Sequence, residues 1–138
     1  SVKNLEKYQR IVEIAERLNT VGKVRLGKEK IYFENYELGK YLKQFGKSYQ
    51  KFVPREIKGL QTEYIRIFLD AYAAGDGHMR RGRTRMGGNF RNEIIYTTSS
   101  KRMADDIGEL LIKVGRRPSY ALLMNKNKKL LISWILVD

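Results

Sequence analysis

Ile65-Arg66-Ile67-Phe68-Leu69-Asp70-Ala71-Tyr72-Ala73-Ala74-Gly75-Asp76-Gly77-His78 is the stretch on which the reading of this chain turns. Its apolar residues recur at helical spacing, so a strongly apolar helix is predicted from about Thr62 to Gly75. One stripe of that helix holds Ile65, Leu69, Tyr72 and Ala73. A second holds Ile67, Ala71, Ala74 and Gly75 and consists mainly of small side chains. Small residues let two helix axes approach more closely than the usual separation of about 8–10 Å. Asp76 follows at the helix end between two glycines, which free the backbone there. Taken alone, Asp76 reads first as a turn residue, because Asp-Gly is a favoured turn pair.

Downstream, Asp76 to Ser99 reads as two strands around Gly87-Gly88, and Lys101 to Val114 as a helix ended by Gly115. Tyr120 to Met124 and Leu130 to Val137 read as strands flanking the polar turn Asn125-Lys126-Asn127-Lys128. Upstream, Asn4 to Asn19 has the spacing of an amphipathic helix, with Asn4 as a plausible N-cap. A hairpin follows, with Val21 to Leu26 and Ile31 to Phe33 joined by Gly27-Lys28-Glu29-Lys30. A short helix, Tyr36 to Phe45, is closed by Gly46, and Pro54 interrupts a connector from Lys47 to Gly59.

An internal echo organises these elements. Ile14, Glu16, Val21, Gly22 and Lys23 recur as Ile107, Glu109, Val114, Gly115 and Arg116, and a hairpin follows in both places. Residues 1–58 are therefore expected to be the end of a first repeat, with helix, hairpin, helix and connector. Residues 59–138 are expected to be a second repeat, with the decisive helix and two hairpins. The chain looks cut from a longer array of two repeats.

Charge bounds the function. The 28 Lys and Arg against 15 Asp and Glu give +13, an excess that repels itself unless a polyanion neutralises it. Nucleic acid is the first candidate, with a solvated basic surface or an anionic membrane as the other readings. Hydrophobic residues make up 42% of the chain, enough for a packed core without staples. The absence of cysteine removes disulfides and thiolate metal sites from consideration. Ser1 to Arg10 is mixed in charge and no apolar run has the length of a membrane span, so the expectation is a soluble, cytoplasmic (intracellular) protein.

Leu69-Asp70-Ala71-Tyr72-Ala73-Ala74-Gly75-Asp76-Gly77 resembles the LAGLIDADG motif of homing endonucleases. Leu69 stands as the opening leucine, Ala71 replaces the usual small glycine, and Gly75-Asp76-Gly77 ends the helix. The ending Gly-Asp-Gly-His looks like the form found in endonucleases embedded in inteins. A second match lies in Lys51-Phe52-Val53-Pro54, twenty-five positions before Asp76, which is similar to the family's Lys-x-Ile/Val-Pro connector. Tyr96-Thr97-Thr98-Ser99-Ser100-Lys101, leading into Ala104 to Gly115, is similar to the strand-to-helix passage after the motif.

The resemblance implies an α/β (α+β) fold of αββαββα units, with an antiparallel β-saddle for DNA and two motif helices packed at its centre. It implies site-specific, metal-dependent hydrolysis of double-stranded DNA. Asp76 and the Gly75 carbonyl would hold Mg²⁺ or Mn²⁺, and Lys51 would stand near the scissile phosphate. A hard dication suits such oxygen ligands and retains several waters. One aspartate makes half of the site, so a second LAGLIDADG half, from the same protein or a homodimer, is expected, and the isolated chain is not expected to cut.

The expected DNA-binding residues are Arg80, Arg81, Arg83, Arg85 and Arg91 on the hairpin after the motif, and Arg116, Arg117, Lys126, Lys128 and Lys129 on the second. Alternation would send Arg81, Arg83 and Arg85 to one strand face, and a curved ribbon of this kind fits a major groove. A charged edge that prevents sheet aggregation is the competing reading. His78, the sole histidine, is expected to form hydrogen bonds or face DNA, since one histidine makes no metal cluster. The nine tyrosines are expected in core and strand positions. Two alternatives stay open: a DNA-binding or RNA-maturase-like module without chemistry, and an intein fragment that only grips DNA. A splicing block is not expected, because Val137-Asp138 lacks the His-Asn ending, although Ser1 resembles a splicing nucleophile.

Overall fold

Helical and alternating hydrophobic spacing become five α-helices and six strands among the described residues of the computed structural model, which are 5–18, 23–26, 31–81, 92–123 and 129–135. The chain divides into two compact units, Ser1–Gln44 and Phe45–Asp138.

The first unit contains α1 (Leu5–Leu18), β1 (Lys23–Leu26), β2 (Ile31–Glu34) and α2 (Tyr36–Lys43). β1 and β2 pair antiparallel with Lys23 opposite Glu34, and Arg25 forms an ion pair with Glu34. Asn35 caps α2 by accepting from the Leu38 N–H at 2.9 Å. Ile11 and Ile14 of α1 remain substantially exposed. The expected cap Asn4 lies outside the described residues, as do the hairpin turn and Val21-Gly22.

The second unit opens with the connector and continues as α4 (Thr62–Asp76), β3 (His78–Arg81), β4 (Asn92–Thr98), α5 (Lys101–Lys113), β5 (Pro118–Leu123) and β6 (Lys129–Ile135). This is helix–strand–strand twice over, the α+β arrangement expected. The strands form one antiparallel sheet in the order β3-β4-β6-β5. His78 lies opposite Ile95, Ile94 opposite Trp134, and Trp134 opposite Pro118.

Alternation decides which side of this sheet is dry. Ile94, Tyr96 and Thr98 of β4 are buried, as are Ile132 and Trp134 of β6. They form the core with Ile65 and Leu69 of α4 and with Met103, Ile107, Leu110 and Leu111 of α5. On the other parity, Ile95 is half-buried, and Thr97, Ser119 and Ala121 are partly or fully exposed. The sheet thus has one face covered by helices and a second face that mixes small residues such as Thr97, Ser119, Ala121 and the buried Ser133 with larger ones such as Ile95 and Leu131.

The ends of α5 follow local rules. Ser100 caps its start, accepting from the Met103 N–H at 3.1 Å. Gly115, at φ 76°, ends it, with the Arg116 N–H reaching Leu111 O at 2.8 Å and the Gly115 N–H reaching Ile112 O at 3.0 Å. This double bond pattern is the Schellman motif, and it needs a left-handed residue that glycine adopts without strain.

The connector is more ordered than its composition suggested. Lys47–Gly59 contains a 3-10 turn, Ser48–Gln50, and a short helix α3, Arg55–Lys58. Pro54 directly precedes α3, where its missing N–H costs nothing and its carbonyl accepts from Ile57 and Lys58. Lys58 then pairs with Asp106 and, at 3.2 Å, with Glu109 of α5.

Two outcomes follow from this packing. Leu69, fully buried, should cost about 2–5 kcal/mol when changed to Ala. Ile67, two residues away on the other side of the helix and 62% exposed, should cost under about 1 kcal/mol as Ile67→Ala. Urea unfolding of the two variants checks the orientation of α4.

The second concerns pH. The Asp106 carboxylate beside Lys58 raises that ammonium above its usual 10.5, while Lys113 and Lys58 hold Glu109 below 4.5. The Lys58 contribution is present below pH 10.5 and lost as pH rises through the higher folded value. The Glu109 contribution is present above 4.5 and lost as pH falls through the lower folded value. Thermal stability should therefore be level between these limits, and Glu109→Gln should flatten part of the acid-side fall.

Candidate functional site

Burial of one stripe of α4 determines what the other stripe and the helix end can do. Ile65 and Leu69 are buried, and Phe68, Tyr72 and Ala73 pack against the same core. Tyr64, Ile67, Ala71, Ala74 and Gly75 lie on the exposed side. The Tyr72 hydroxyl meets the Tyr96 hydroxyl on β4, and the two rings lie 4.8 Å apart. Burial first, then this contact and the nearby Asp76 charge, push the Tyr72 phenol well above its usual range. The Tyr72 phenol is thus a neutral structural group, and its contact with Tyr96 fastens the last turns of α4 to the sheet.

Asp76 is the last residue of α4, and its side chain is exposed. Gly77 turns the chain from helix to strand, donating its N–H to Ala73 O at 2.9 Å. A Cβ on Gly77 would lie 2.5 Å from that carbonyl oxygen and 2.9 Å from the Ala73 Cα, so only glycine fits this exit. A Cβ on Gly75 would meet nothing within 4 Å. The two glycines flanking Asp76 therefore have different reasons to be there. Gly77 serves the fold of this chain, whereas a Cβ at Gly75 would meet no steric obstacle among the described residues.

The helix end is also electrostatically unusual. A helix C-terminus carries partial negative charge and is normally complemented by a basic side chain. Arg17 does this on α1, Lys40 and Lys43 on α2, Lys58 on α3, and Lys113 on α5. The last turn of α4 has no basic residue and ends on a carboxylate instead. Two negative groups thus point the same way with no salt bridge to Asp76 among the described residues. Such a pole attracts a cation. No cluster of three or more metal-ligating side chains occurs among the described residues. A single exposed carboxylate at a negative helix end is a donor that suits a hard dication keeping most of its waters.

Lys51 is exposed, while its backbone is held: the Ser100 hydroxyl donates to the Lys51 carbonyl at 2.6 Å. No hydrogen bond or ion pair joins Lys51 to Asp76 among the described residues. The strand register nevertheless puts both at one end of the sheet. Asp76 leads into His78, opposite Ile95, and β4 runs from Ile95 towards Ser100. Five residues of extended chain span at most about 17 Å.

The expected DNA contacts distribute unevenly. His78 is exposed at the start of β3, two residues beyond Asp76. Arg80 and Arg81 lie in β3 opposite Glu93 and Asn92, and Lys129 begins β6 opposite Leu123. Arg83, Arg85, Arg91, Lys126 and Lys128 lie outside the described residues. Arg117 is exposed. Arg116 is largely covered and pairs with Asp70 of α4 at 3.2 Å, so its guanidinium already serves to tie the start of the second hairpin to the motif helix.

The tyrosine expectation needs correction. Tyr96 is buried and Tyr72 half-buried, but Tyr32, Tyr36, Tyr41, Tyr49, Tyr64 and Tyr120 are all exposed. Tyr32 and Tyr120 keep the expected strand positions, in β2 and β5, while Tyr36, Tyr41 and Tyr64 lie on exposed helix faces. Residues that sequence reasoning passed over are Phe52, Ser100, Arg102 and Asp106, which hold the connector. Ser100 was legible as a residue preceding a helical run, the usual cap signal. Asp106 was not, because its partners are about fifty residues away.

The glycine geometry gives a direct test. Gly77→Ala should destabilise the chain by more than about 1 kcal/mol, since a backbone oxygen must move. Gly75→Ala should leave it equal or more stable, by up to about 1 kcal/mol, through helix propensity. Thermal denaturation of both variants distinguishes them.

Comparison with known proteins agrees with this geometry. A family model described as a LAGLIDADG-like domain matches residues 63–129, from the first turn of α4 to the start of β6. The chain is also similar to a protein of Nostoc sp. (strain PCC 7120 / SAG 25.82 / UTEX 2576) named replicative DNA helicase DnaB, at 39% identity over 70 residues. That match covers 50% of this chain and only 8% of the helicase. No helix among the described residues is long and apolar enough to cross a membrane. With its motif helix, paired hairpins and family match, the chain carries a LAGLIDADG-like domain at residues 63–129.

Proposed function

We propose that this chain supplies one of the two catalytic carboxylates of a site-specific, metal-dependent double-stranded DNA endonuclease embedded in an intein. The observation that carries the reading is Asp76, an exposed carboxylate on the negative pole of α4, the one described α-helix whose last turn has no basic residue. Within this chain that placement is unfavourable by about 0.3–1 kcal/mol, and a cation turns it favourable.

The residues would hold Mg²⁺ or Mn²⁺ through Asp76, with the Gly75 carbonyl in the same turn as a second oxygen. When bound, the ion supplies positive charge at the scissile phosphate and an acidified water for hydrolysis. The chain's own residues do the rest. Gly77 and the Tyr72–Tyr96 contact fix the direction in which α4 ends. Lys51 brings a cation to the same end of the sheet, where it stabilises negative charge developing on the phosphate. His78 and the β3 arginines continue from that point along the strand and hold the duplex.

A second LAGLIDADG half completes the site, seated against the exposed stripe of Ile67, Ala71, Ala74 and Gly75. A hollow of about 390 Å³ beside this stripe, lined by Asp70, Ala73, Ala74, Gly77, Met79, Ile94 and Trp134, offers room for side chains from that half. The open space at the Gly75 Cβ position supports close approach from outside. The intein setting is supported by the small share of the helicase that the match covers, as for a segment inserted in a larger host. Such a substrate places the protein inside the cell.

The test uses the full-length protein and duplex DNA from a randomised library. With Mg²⁺ or Mn²⁺, the wild type should nick a subset of sequences, and Asp76→Asn should abolish nicking while DNA affinity stays equal or rises. Asp76→Asn should also raise the melting temperature in the absence of metal, and Mg²⁺ should stabilise the wild type more than the variant. A wild type that cuts no sequence would leave a DNA-binding module without chemistry.

A further inference from the structure

Lys51 has an exposed, flexible side chain, yet the chain on either side of it is fastened atom by atom to α5. The Ser100 hydroxyl donates to the Lys51 carbonyl at 2.6 Å. Two residues on, the Val53 N–H donates to Asp106 Oδ2 at 2.8 Å. Between these bonds the Phe52 ring carries the Arg102 guanidinium 4.2 Å above its centroid and packs against Phe45 at 5.2 Å. The Val53 side chain is 2% exposed, part of the core. Beyond Pro54, Lys58 closes the same segment onto Asp106 and Glu109, and Lys113 donates to the Lys58 carbonyl at 2.9 Å.

This is more than an extended segment needs in order to lie on a surface. Ser100 is fully buried, and its hydroxyl does two things at once: it accepts from the Met103 N–H and donates to Lys51. Capping alone would be served as well by Asp, which has no proton to donate when ionised. The Ser100 hydroxyl satisfies cap and carbonyl through a single oxygen. Asp106 is 5% exposed on a helix face that would otherwise take an apolar residue, and its two oxygens divide between the Val53 N–H and the Lys58 ammonium. Both groups spend buried polar atoms on the backbone that brackets Phe52.

We infer that Ser100 and Asp106 of α5, with the Arg102–Phe52 stack between them, are positioning residues that fix the stem of Lys51 for its work at the scissile phosphate. The inference rests on the endonuclease reading above. A lysine whose ammonium must meet developing charge loses rate when its base drifts, because the electrostatic term depends on donors being in place beforehand. The sheet supports the same geometry. Ser100 follows directly on β4, whose Tyr96 hydroxyl contacts Tyr72 one turn before Asp76. Strand β4 and its continuation therefore connect the mount of Lys51 to the mount of Asp76 within one rigid element. These positioning residues act through Lys51 and do not themselves touch DNA.

The experiment is a double-mutant cycle in the full-length protein, read as the single-turnover nicking rate on a target selected from the randomised library. Ser100→Ala, and separately Arg102→Gln on the exposed surface, should each lower the rate, on the order of tenfold for the former. DNA affinity should stay within about twofold, because the charge of Lys51 remains. In a Lys51→Ala background the same changes should have no further effect on rate, whereas a general loss of stability would lower the rate again. Ser100→Thr, which keeps the hydroxyl, should restore the rate.

If Ser100→Ala and Arg102→Gln leave the rate unchanged while Lys51→Ala lowers it, the positioning role is overturned and the endonuclease reading stands. Equal losses in the two backgrounds also overturn it. If the wild type does not nick at all, the endonuclease reading itself fails.

Discussion

Burial of Ile65 and Leu69 against β4, β6 and α5 is the constraint from which the remaining geometry of the second unit follows. A helix has only one rotation about its axis that buries both side chains. That rotation turns Tyr72 onto Tyr96 and turns Ala71, Ala74 and Gly75 outward. It also determines where the last turn ends, and so where Asp76 stands relative to β3 and β4. Burying two such side chains contributes roughly 3–6 kcal/mol, several times what any single ion pair on this surface supplies. The core therefore places the carboxylate, and the ion pairs only trim the edges.

Electrostatics act on the scaffold that packing has set. The chain has a large excess of positive charge, and much of its described acidic complement is used internally. Asp106 and Glu109 hold Lys58, Asp105 holds Lys101, and Asp70 holds Arg116. These pairs tie the connector to α5 and the second hairpin to α4, the two joints at which a pair of helix–hairpin units would otherwise hinge. Lys101 and Asp105 are exposed and contribute little, whereas Asp106 is buried, and loss of its partner would leave a charge without compensation.

Local patterns in the sequence were enough for the helices and for most of the strands. Thr62 to Asp76 and Lys101 to Lys113 are visible because apolar residues return every three or four positions and because Gly77 and Gly115 follow them. The alternation in Asn92–Thr98 likewise reads directly as a half-covered strand. The motif aspartate and its flanking glycines were legible as a unit, since all the relevant residues are consecutive. The mount of Lys51 was not. It depends on Ser100 and Asp106 meeting residues 49 and 53 positions earlier, and no local period encodes that encounter. The short helix Arg55–Lys58 escaped notice for a related reason: four residues carry no period, and their helix is held by Lys58 reaching α5. Arg116 was equally illegible as a partner: counted towards a DNA-facing cluster, it also pairs with Asp70, forty-six positions earlier.

Local rules are broken along the exposed side of α4 and at its end. Gly75 within a helix costs about 1 kcal/mol relative to Ala, although nothing in this chain would meet its Cβ. Asp76 adds a negative charge to an already negative helix end. Ile67 and Tyr64 keep large apolar surfaces in water on the same side of α4. Each choice is unfavourable for an isolated chain, and each could be reversed by one substitution without disturbing the core. Elsewhere in the second unit many of the same rules are followed, in the Ser100 cap, the Schellman ending at Gly115 and the satisfied bonds of Asp106, although Trp134 Nε1 is buried without a hydrogen bond among the described residues and Ile112 and Leu122 are exposed. Conflicts along the exposed side of α4 and at its end are those expected of a surface shaped for something outside the chain. Under the proposed function, a close-packed second helix would relieve Gly75 and Ile67, and a cation would relieve Asp76.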